Sequence, residues 1–210
     1  MKLVERGQCQ LEVLSRTAIV VTPFTANGDT RPVDMIYLPA GAVFSLSATY
    51  RHDVFIWQGA LRSDSDQPIE MGSYLSLCGA EELIAGNFGA ILFRYREPVA
   101  DQTRCATVRA NAIVWRDGPM QGVRFCRLID QDHRVSLISF APGALIPPHD
   151  HSAGEEIFVL NGTLKDAWGD TCAGGWVRLY PGARHAPWAE SEVIFLLRNG
   201  HLKYPASGTI

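Results

Sequence analysis

Two histidines separated by one residue, His149-Asp150-His151, are the side chains of this sequence best suited to chemistry. In an extended backbone alternate side chains point the same way, so both imidazoles can face one point inside a sheet, where neutral imidazole is a good ligand for a first-row transition ion. Glu155 shares their parity, as do Ile157 and Val159, whereas Glu156, Phe158 and Leu160 take the other. A strand through this segment can therefore aim a carboxylate at the same point. A Pro147-Pro148 turn precedes the pair and an apolar run ending in Asn161-Gly162 follows it, a setting that fits a built grip better than two stray surface histidines.

The elements that must position this grip read as strands. Short apolar or β-branched runs bounded by Gly, Pro, Asn or Asp recur: Thr17 to Val21, Met35 to Leu38, Ala42 to Ser47, Val54 to Trp57, Ser73 to Leu77 and Ala90 to Tyr95. In the second half come Ala112 to Trp115, Arg124 to Ile129, Val135 to Phe140, Trp176 to Leu179 and Glu192 to Leu197, with a polar hairpin around Asp166 to Asp170. This spacing predicts an all-β barrel or sandwich. Only Ala80 to Ala85 reads as helical, and Asn161-Gly162 reads as a hairpin turn. The polar stretch Glu97 to Thr103, with a proline and no periodicity, marks the boundary between domains over residues 1–100 and 101–210.

The two halves look like one unit used twice. Val54 to Leu61 matches Ile157 to Leu164, Pro39-Ala40-Gly41-Ala42 answers Ala141-Pro142-Gly143-Ala144, and Gly72-Ser73-Tyr74 answers Gly174-Gly175-Trp176. Repetition at roughly a hundred residues predicts two complete barrels rather than a solenoid.

The segment from Gly143 to Gly162 resembles the first motif of the cupins, Gly-(x5)-His-x-His-(x3 or x4)-Glu-(x6)-Gly, with every fixed position filled. Its last spacing selects Glu155 over Glu156, which is left as a neighbour of the ligands. Gly174, Gly182 and His185 hold the spacing of the second cupin motif, although Tyr180 stands where the family has proline. The resemblance implies His149, His151, Glu155 and His185 as the ligands of one divalent transition ion per chain. In the first copy the paired histidines correspond to Ser47 and Thr49, or one register over to Leu46 and Ala48; the Glu corresponds to His52 and the last ligand falls near Leu83. The first barrel is therefore expected to hold no metal, with His52 a satisfied polar residue at a hairpin. His133 and His201 read as solvated.

Phe140 to Gly143, Gly154 to Gly162, Gly182 to Pro187 and Trp115 to Val123 together look like the cupin of ChrR-type anti-sigma factors and the related acetylacetone-cleaving dioxygenases. That resemblance implies two tandem cupin (jelly-roll) barrels, the first degenerate and the second metal-binding. It implies zinc, as in the regulators, or iron, as in the dioxygenases; manganese and nickel suit the same ligands. Two functions follow: a metal-dependent dioxygenase acting on a diketone-like molecule, or a ligand- or metal-sensing regulator. The His-x3-Cys-x2-Cys signature of the sigma-gripping zinc domain is not in the sequence, so no sigma-factor partner is expected.

Composition narrows the classes further. The 210 residues are 47% hydrophobic and 20% charged, with a net charge of -3, ordinary values for a globular protein. No run of Lys and Arg forms a phosphate-binding stripe, which argues against nucleic acid, and no apolar run approaches a membrane span or a signal peptide, so a cytoplasmic protein is expected. Five scattered cysteines with no Cys-x-x-Cys pair point to reduced, mostly buried thiols. The expected partners are a small molecule and, through open sheet edges, a second copy of the chain. No catalytic side chain is assigned. Phe140, Phe158, Trp176, Trp188 and Phe195 are the aromatics that could line a cavity, with core packing the expected role for most of them.

Overall fold

The computed structural model describes residues 3–9, 18–62, 67–99, 105–130 and 133–202. Thr17, and residues 100–103 of the expected linker, lie outside them. The chain divides into two compact units: an N-terminal unit of residues 9–113, and a C-terminal unit of residues 114–210 that also takes in residues 1–8.

Each unit is built on one large antiparallel sheet. The N-terminal sheet runs Val20–Pro23, Val33–Leu38, Glu82–Pro98, Tyr50–Leu61, Tyr74–Cys78, Ala106–Val108. The C-terminal sheet runs Arg116–Asp117, Val123–Asp130, Arg134–Phe140, Val193–Asn199, Glu155–Asn161, Gly175–Leu179, Val4–Gln8. From Val20 and from Val123 onward the two orders correspond strand for strand, so the repeat in the sequence is a repeat of topology. Neither sheet closes on itself, and no α-helix occurs among the described residues. Among the described residues no helix is long and apolar enough to cross a membrane.

Period-two alternation decides what each sheet buries. In the C-terminal unit Ile138, Phe140, Ile157, Val159, Val193 and Phe195 share one face and one apolar cluster. Phe140 and Phe195 meet edge-on at 5.4 Å between ring centres. Burial of each such side chain contributes roughly 1.5–3 kcal/mol. The N-terminal counterpart is richer in leucine, with Leu38, Leu46, Ile56, Leu77, Leu83 and Leu92 packed together.

Two expectations fail locally. Ala80 to Ala85 is not helical: Glu82–Pro98 is a strand, paired through Phe44↔Leu83 on one side and Leu61↔Ala85 on another. Burying Leu83 and Ala85 in that register outweighs the weak helical preference of Ala-Glu-Glu-Leu. Ala112 to Trp115 is not a strand either; a 3-10 turn spans Ala110–Ala112 and the short edge strand is Arg116–Asp117.

Gly162 also plays a different part from the one its Asn-Gly dipeptide implies. The chain passes through it from Glu155–Asn161 into Thr163–Leu164, which pairs with Thr171–Cys172, so the reversal lies in the loop beyond. Gly162 has φ 79° and its repeat counterpart Gly59 has φ 74°. A Cβ at Gly162 would collide with the Glu192 carbonyl, and one at Gly59 with the Gly89 carbonyl, so both copies need glycine at the same kink.

Candidate metal centre

His149 lies in a two-residue strand, His149–Asp150, whose partner is Arg184–His185 in the register His149↔His185. This pairing brings together imidazoles distant in the chain. Mutual backbone bonds fix the next step: His151 N donates to Ala183 O, and Gly182 N to His151 O. The three imidazoles then converge. His185 Nε2 lies 2.9 Å from His151 Nε2 and 3.1 Å from His149 Nε2, and the ligand atoms of the three lie within 4.8 Å of one another.

Two nitrogens at right angles about an ion, each with a bond of about 2.1 Å, stand about 3 Å apart. The observed spacings match that geometry. The outer nitrogens are also occupied as a metal site requires: His149 Nδ1 lies 2.9 Å from Pro147 O and His185 Nδ1 2.6 Å from Asp166 Oδ2. Both partners only accept, so Nδ1 carries the proton in each ring and Nε2 turns its lone pair to the shared point. The inward lone pairs of His149 and His185, 3.1 Å apart with the His151 nitrogen beside them, repel unless a cation sits among them, and the donor set fits a first-row divalent ion.

Glu155 stands beside the triad. Its Oε1 is 3.5 Å from His185 Nε2 and its Oε2 3.3 Å from His151 Nδ1, although the compact group of ligand atoms is formed by the imidazoles alone. Burial pushes the Glu155 carboxyl up to about 8, with Asp166 adding to the rise. Burial also pushes His151 down to about 4, helped by His185 and His149. A divalent cation at the triad would stabilise the Glu155 carboxylate and need His151 neutral, which resolves both.

Several supporting groups carry no motif. Arg6, on the first strand, donates to Trp168 O, Asp170 O and Thr171 Oγ1, each at 2.5 Å. Trp168 Nε1 donates to Arg184 O at 3.0 Å. Together they tie the loop that carries Asp166 to the strand that carries His185. The alternating pattern of Val4–Gln8 is too weak to announce this role, and nothing in the spacing of Asp166 marks it as a partner of histidine.

A cavity of about 280 Å³ opens against the site, lined by His149, Glu155 and His185 and, on its apolar side, by residues such as Phe125, Ile138 and Phe195. Of the aromatics that could line it only Phe195 does so, and core packing is the role of most of the others, as expected. Phe140 packs in the core cluster, Phe158 and Trp176 are buried with no part in the lining, and Trp188 is exposed.

Glu156 is not a neighbour of the ligands. Its opposite parity points it to the other face of the sheet, where Arg178 Nε lies at 2.6 Å, Arg198 Nη1 at 3.4 Å and His201 Nε2 at 2.9 Å. Burial alone would raise its carboxyl, but Arg178, with His201 and Arg198, holds it well below the usual carboxylate range. His201 is thus buried in this network rather than solvated, and His133 is buried as well.

In the N-terminal unit the same frame carries no cluster of imidazoles among the described residues. Leu46 N donates to Glu81 O as His151 N does to Ala183 O, and Phe44 pairs with Leu83 as His149 does with His185. Phe44, Leu46 and Leu83 therefore occupy the imidazole positions, and all three belong to the apolar core. Ser47 and Thr49, the equivalents expected from a uniform offset, lie exposed in the turn with their hydroxyls 2.7 Å apart, because the turn differs in length between the copies. His52 takes the place of Glu155, within the strand Tyr50–Leu61 rather than at a hairpin. It is buried, with Nε2 2.9 Å from Ser47 O.

Residues 103–203 match the model of the family described as the ChrR cupin-like domain. No protein of curated function matches the chain. Among solved structures, a Pseudomonas aeruginosa protein provisionally named glyoxylate-induced superposes with a TM-score of 0.74 at 16% identity, over 91% of this chain and 83% of its own. A cupin 2 conserved barrel domain protein from Leptotrichia buccalis gives 0.67 at 16%, over 95% and 97%. The oxalate decarboxylase of Lactobacillus farciminis, solved with formate, gives 0.63 at 14%, over 83% and 78%. At such identities the likeness is one of fold.

Proposed function

We propose, for a chain of cupin fold whose residues 103–203 match the ChrR cupin-like domain, that the C-terminal unit is a metal-binding jelly-roll barrel and the N-terminal unit a second, degenerate barrel in tandem with it. One divalent ion, iron or zinc before manganese or nickel, is held by His149, His151, His185 and Glu155. The activity is that of a metal-dependent dioxygenase on a small diketone-like substrate. The observation that carries this reading is the triangle of Nε2 atoms, spaced 2.9 and 3.1 Å with those of His149 and His185 turned inward by their Nδ1 partners, on the wall of a largely apolar cavity.

A bound iron ion would supply Lewis acidity toward an enolate and the electrons for reaction with dioxygen. The chain supplies the rest. Asp166 holds the His185 ring by Nδ1 and Pro147 O holds that of His149. Glu155 provides the negative charge, and Phe125, Ile138 and Phe195 keep water from the face where substrate would lie.

The family description favours one other reading, a sensing module like the cupin of ChrR, with zinc held and no turnover. Elemental analysis of protein purified without added metal, followed by oxygen uptake on a panel of diketones and flavonols, tests both. Iron with uptake supports the enzyme and zinc without uptake the sensor. A chain that takes up no ion would reject the site itself.

A further inference from the structure

The cavity has a second polar group away from the imidazoles. Its wall comes from Val123–Asp130, Arg134–Phe140, Val193–Asn199 and Glu155–Asn161, which lie side by side, and the pairing sets the inward residues in rows. One row is Arg127, Ser136, Leu197 and Ile157; beyond it towards the metal ligands, Asn199 lies opposite Glu155. Arg127 is thus three strands across from the strand of Glu155 and is no member of the imidazole cluster.

A guanidinium at the mouth of a mostly apolar cavity presents a fixed charge and a planar set of donors to whatever enters. Arg127 donates through Nη1 to Ser136 Oγ at 3.0 Å and has no carboxylate partner among the described residues. Serine neutralises nothing, so the charge and the remaining donors of the fork face solvent at the mouth and are open to a ligand. Arg127 is exposed while lining the cavity, which places it at the mouth. Asn199 supplies an unmet demand deeper in the cavity: its Oδ1 is buried with no hydrogen-bond partner, and its amide can turn either end to a ligand. The cavity of about 280 Å³ equals the liquid volume of about nine waters, so the ligand has on the order of ten non-hydrogen atoms.

We propose that this cavity takes a small carboxylate-bearing ligand, its carboxylate on the free donors of Arg127 at the mouth, its polar middle on Asn199 and its other end at the imidazole triad. Arginine suits the role because its planar fork can donate two parallel bonds to one carboxylate. The mouth position lets that carboxylate keep part of its hydration while the uncharged body enters the apolar region. The inference rests on the metal-centred reading for the inner end of the ligand and stands on Arg127 and Asn199 for the outer end.

Titration calorimetry on the full metal-loaded chain, with metal content checked, would compare 4,6-dioxoheptanoate with the neutral heptane-2,4-dione. The expected result is about tenfold or more tighter binding of the carboxylate probe, the scale of a hydrogen bond between charged groups. In Arg127→Gln that preference should fall to about twofold or less, with metal content and affinity for the neutral probe unchanged. Equal affinities in the wild type, a preference that survives in Arg127→Gln, or binding of neither probe would overturn the proposal. The same titration on chelator-stripped chain separates the two readings: a carboxylate preference that persists without metal leaves the Arg127 assignment standing and removes the metal from ligand binding.

Discussion

Asp166→Asn probes the metal centre through a residue that would never touch the ion. Asp166 Oδ2 lies 2.6 Å from His185 Nδ1, a charge-assisted bond that keeps the proton on Nδ1 and the lone pair on Nε2. Asparagine has nearly the same shape, but it lacks the charge, and its NH2 can face Nδ1 instead. That would favour the tautomer with the proton on Nε2, the atom 2.9 Å from His151 Nε2 and 3.1 Å from His149 Nε2, and close it to metal. Loss of such a partner typically lowers metal affinity ~10–100-fold, or about 1.4–2.8 kcal/mol. Asp166 also raises the Glu155 carboxyl, so its removal makes Glu155 easier to ionise and returns part of that loss. A fall of about tenfold is therefore expected. Competition against a chromophoric chelator at neutral pH measures it, with the melting temperature of the metal-free variant as a control on folding. Unchanged or tighter binding in a normally folded variant would refute the tautomer argument.

Four further outcomes follow from the same geometry. His151→Ala should lose metal while His52→Ala keeps it, since Phe44, Leu46 and Leu83 occupy the imidazole positions of the N-terminal unit; elemental analysis of both variants decides. With Glu155 raised to about 8 and His151 lowered to about 4, the metal-free chain at pH 7 holds a proton on the former and none on the latter. Metal binding at pH 7 should then release about one proton, fewer as pH rises past 8, as read by calorimetry in buffers of different ionisation heat; no release would place Glu155 outside the coordination shell. Glu156→Gln leaves Arg178 and Arg198 buried without their counter-charge and should cost about 3–5 kcal/mol in denaturant unfolding, with metal content unchanged. Because the Glu156 carboxyl is depressed in the folded chain, the wild type has this stability above the ordinary carboxylate range and loses it as pH falls; a Gln variant with the same acid sensitivity would contradict the assignment.

What the sequence discloses here is what depends on parity and spacing. Glu155 and Glu156 take opposite faces by alternation within Glu155–Asn161, but a turn separates that strand from His149–Asp150, so the shared parity of His149, His151 and Glu155 is not that of one strand, and it is the pairing with Arg184–His185 that gathers the imidazoles. The convergence of His185 follows from motif spacing, which holds although Tyr180 departs from the pattern. Contacts set by three-dimensional closure are not legible in this way. Asp166 reaches His185 because Arg6 and Trp168 pin its loop from elements far off in sequence, and Asn199 meets Glu155 through strand register. Ala80 to Ala85 misleads because local preference is weak against a register that buries Leu83 and Ala85. The repeat misleads at one turn only, where a change in loop length moves the equivalents of His149 and His151 from Ser47 and Thr49 to Phe44 and Leu46.

That shift of register exposes the difference between the two copies of the frame. In the N-terminal unit the positions facing the ligand point are apolar, and they contribute burial without further support. In the C-terminal unit the same positions hold three imidazoles, with the buried Glu155 beside them, groups that cost stability unless each is partnered. Their partners are what distinguishes this copy: Pro147 O for His149, Asp166 for His185, and the Arg6 and Trp168 bonds that keep Asp166 in place. Replacing ligands alone in the N-terminal unit would therefore not recreate a metal centre, because imidazoles at Phe44, Leu46 and Leu83 would have neither their outer nitrogens fixed nor an adjacent carboxylate, His52 standing where Glu155 does.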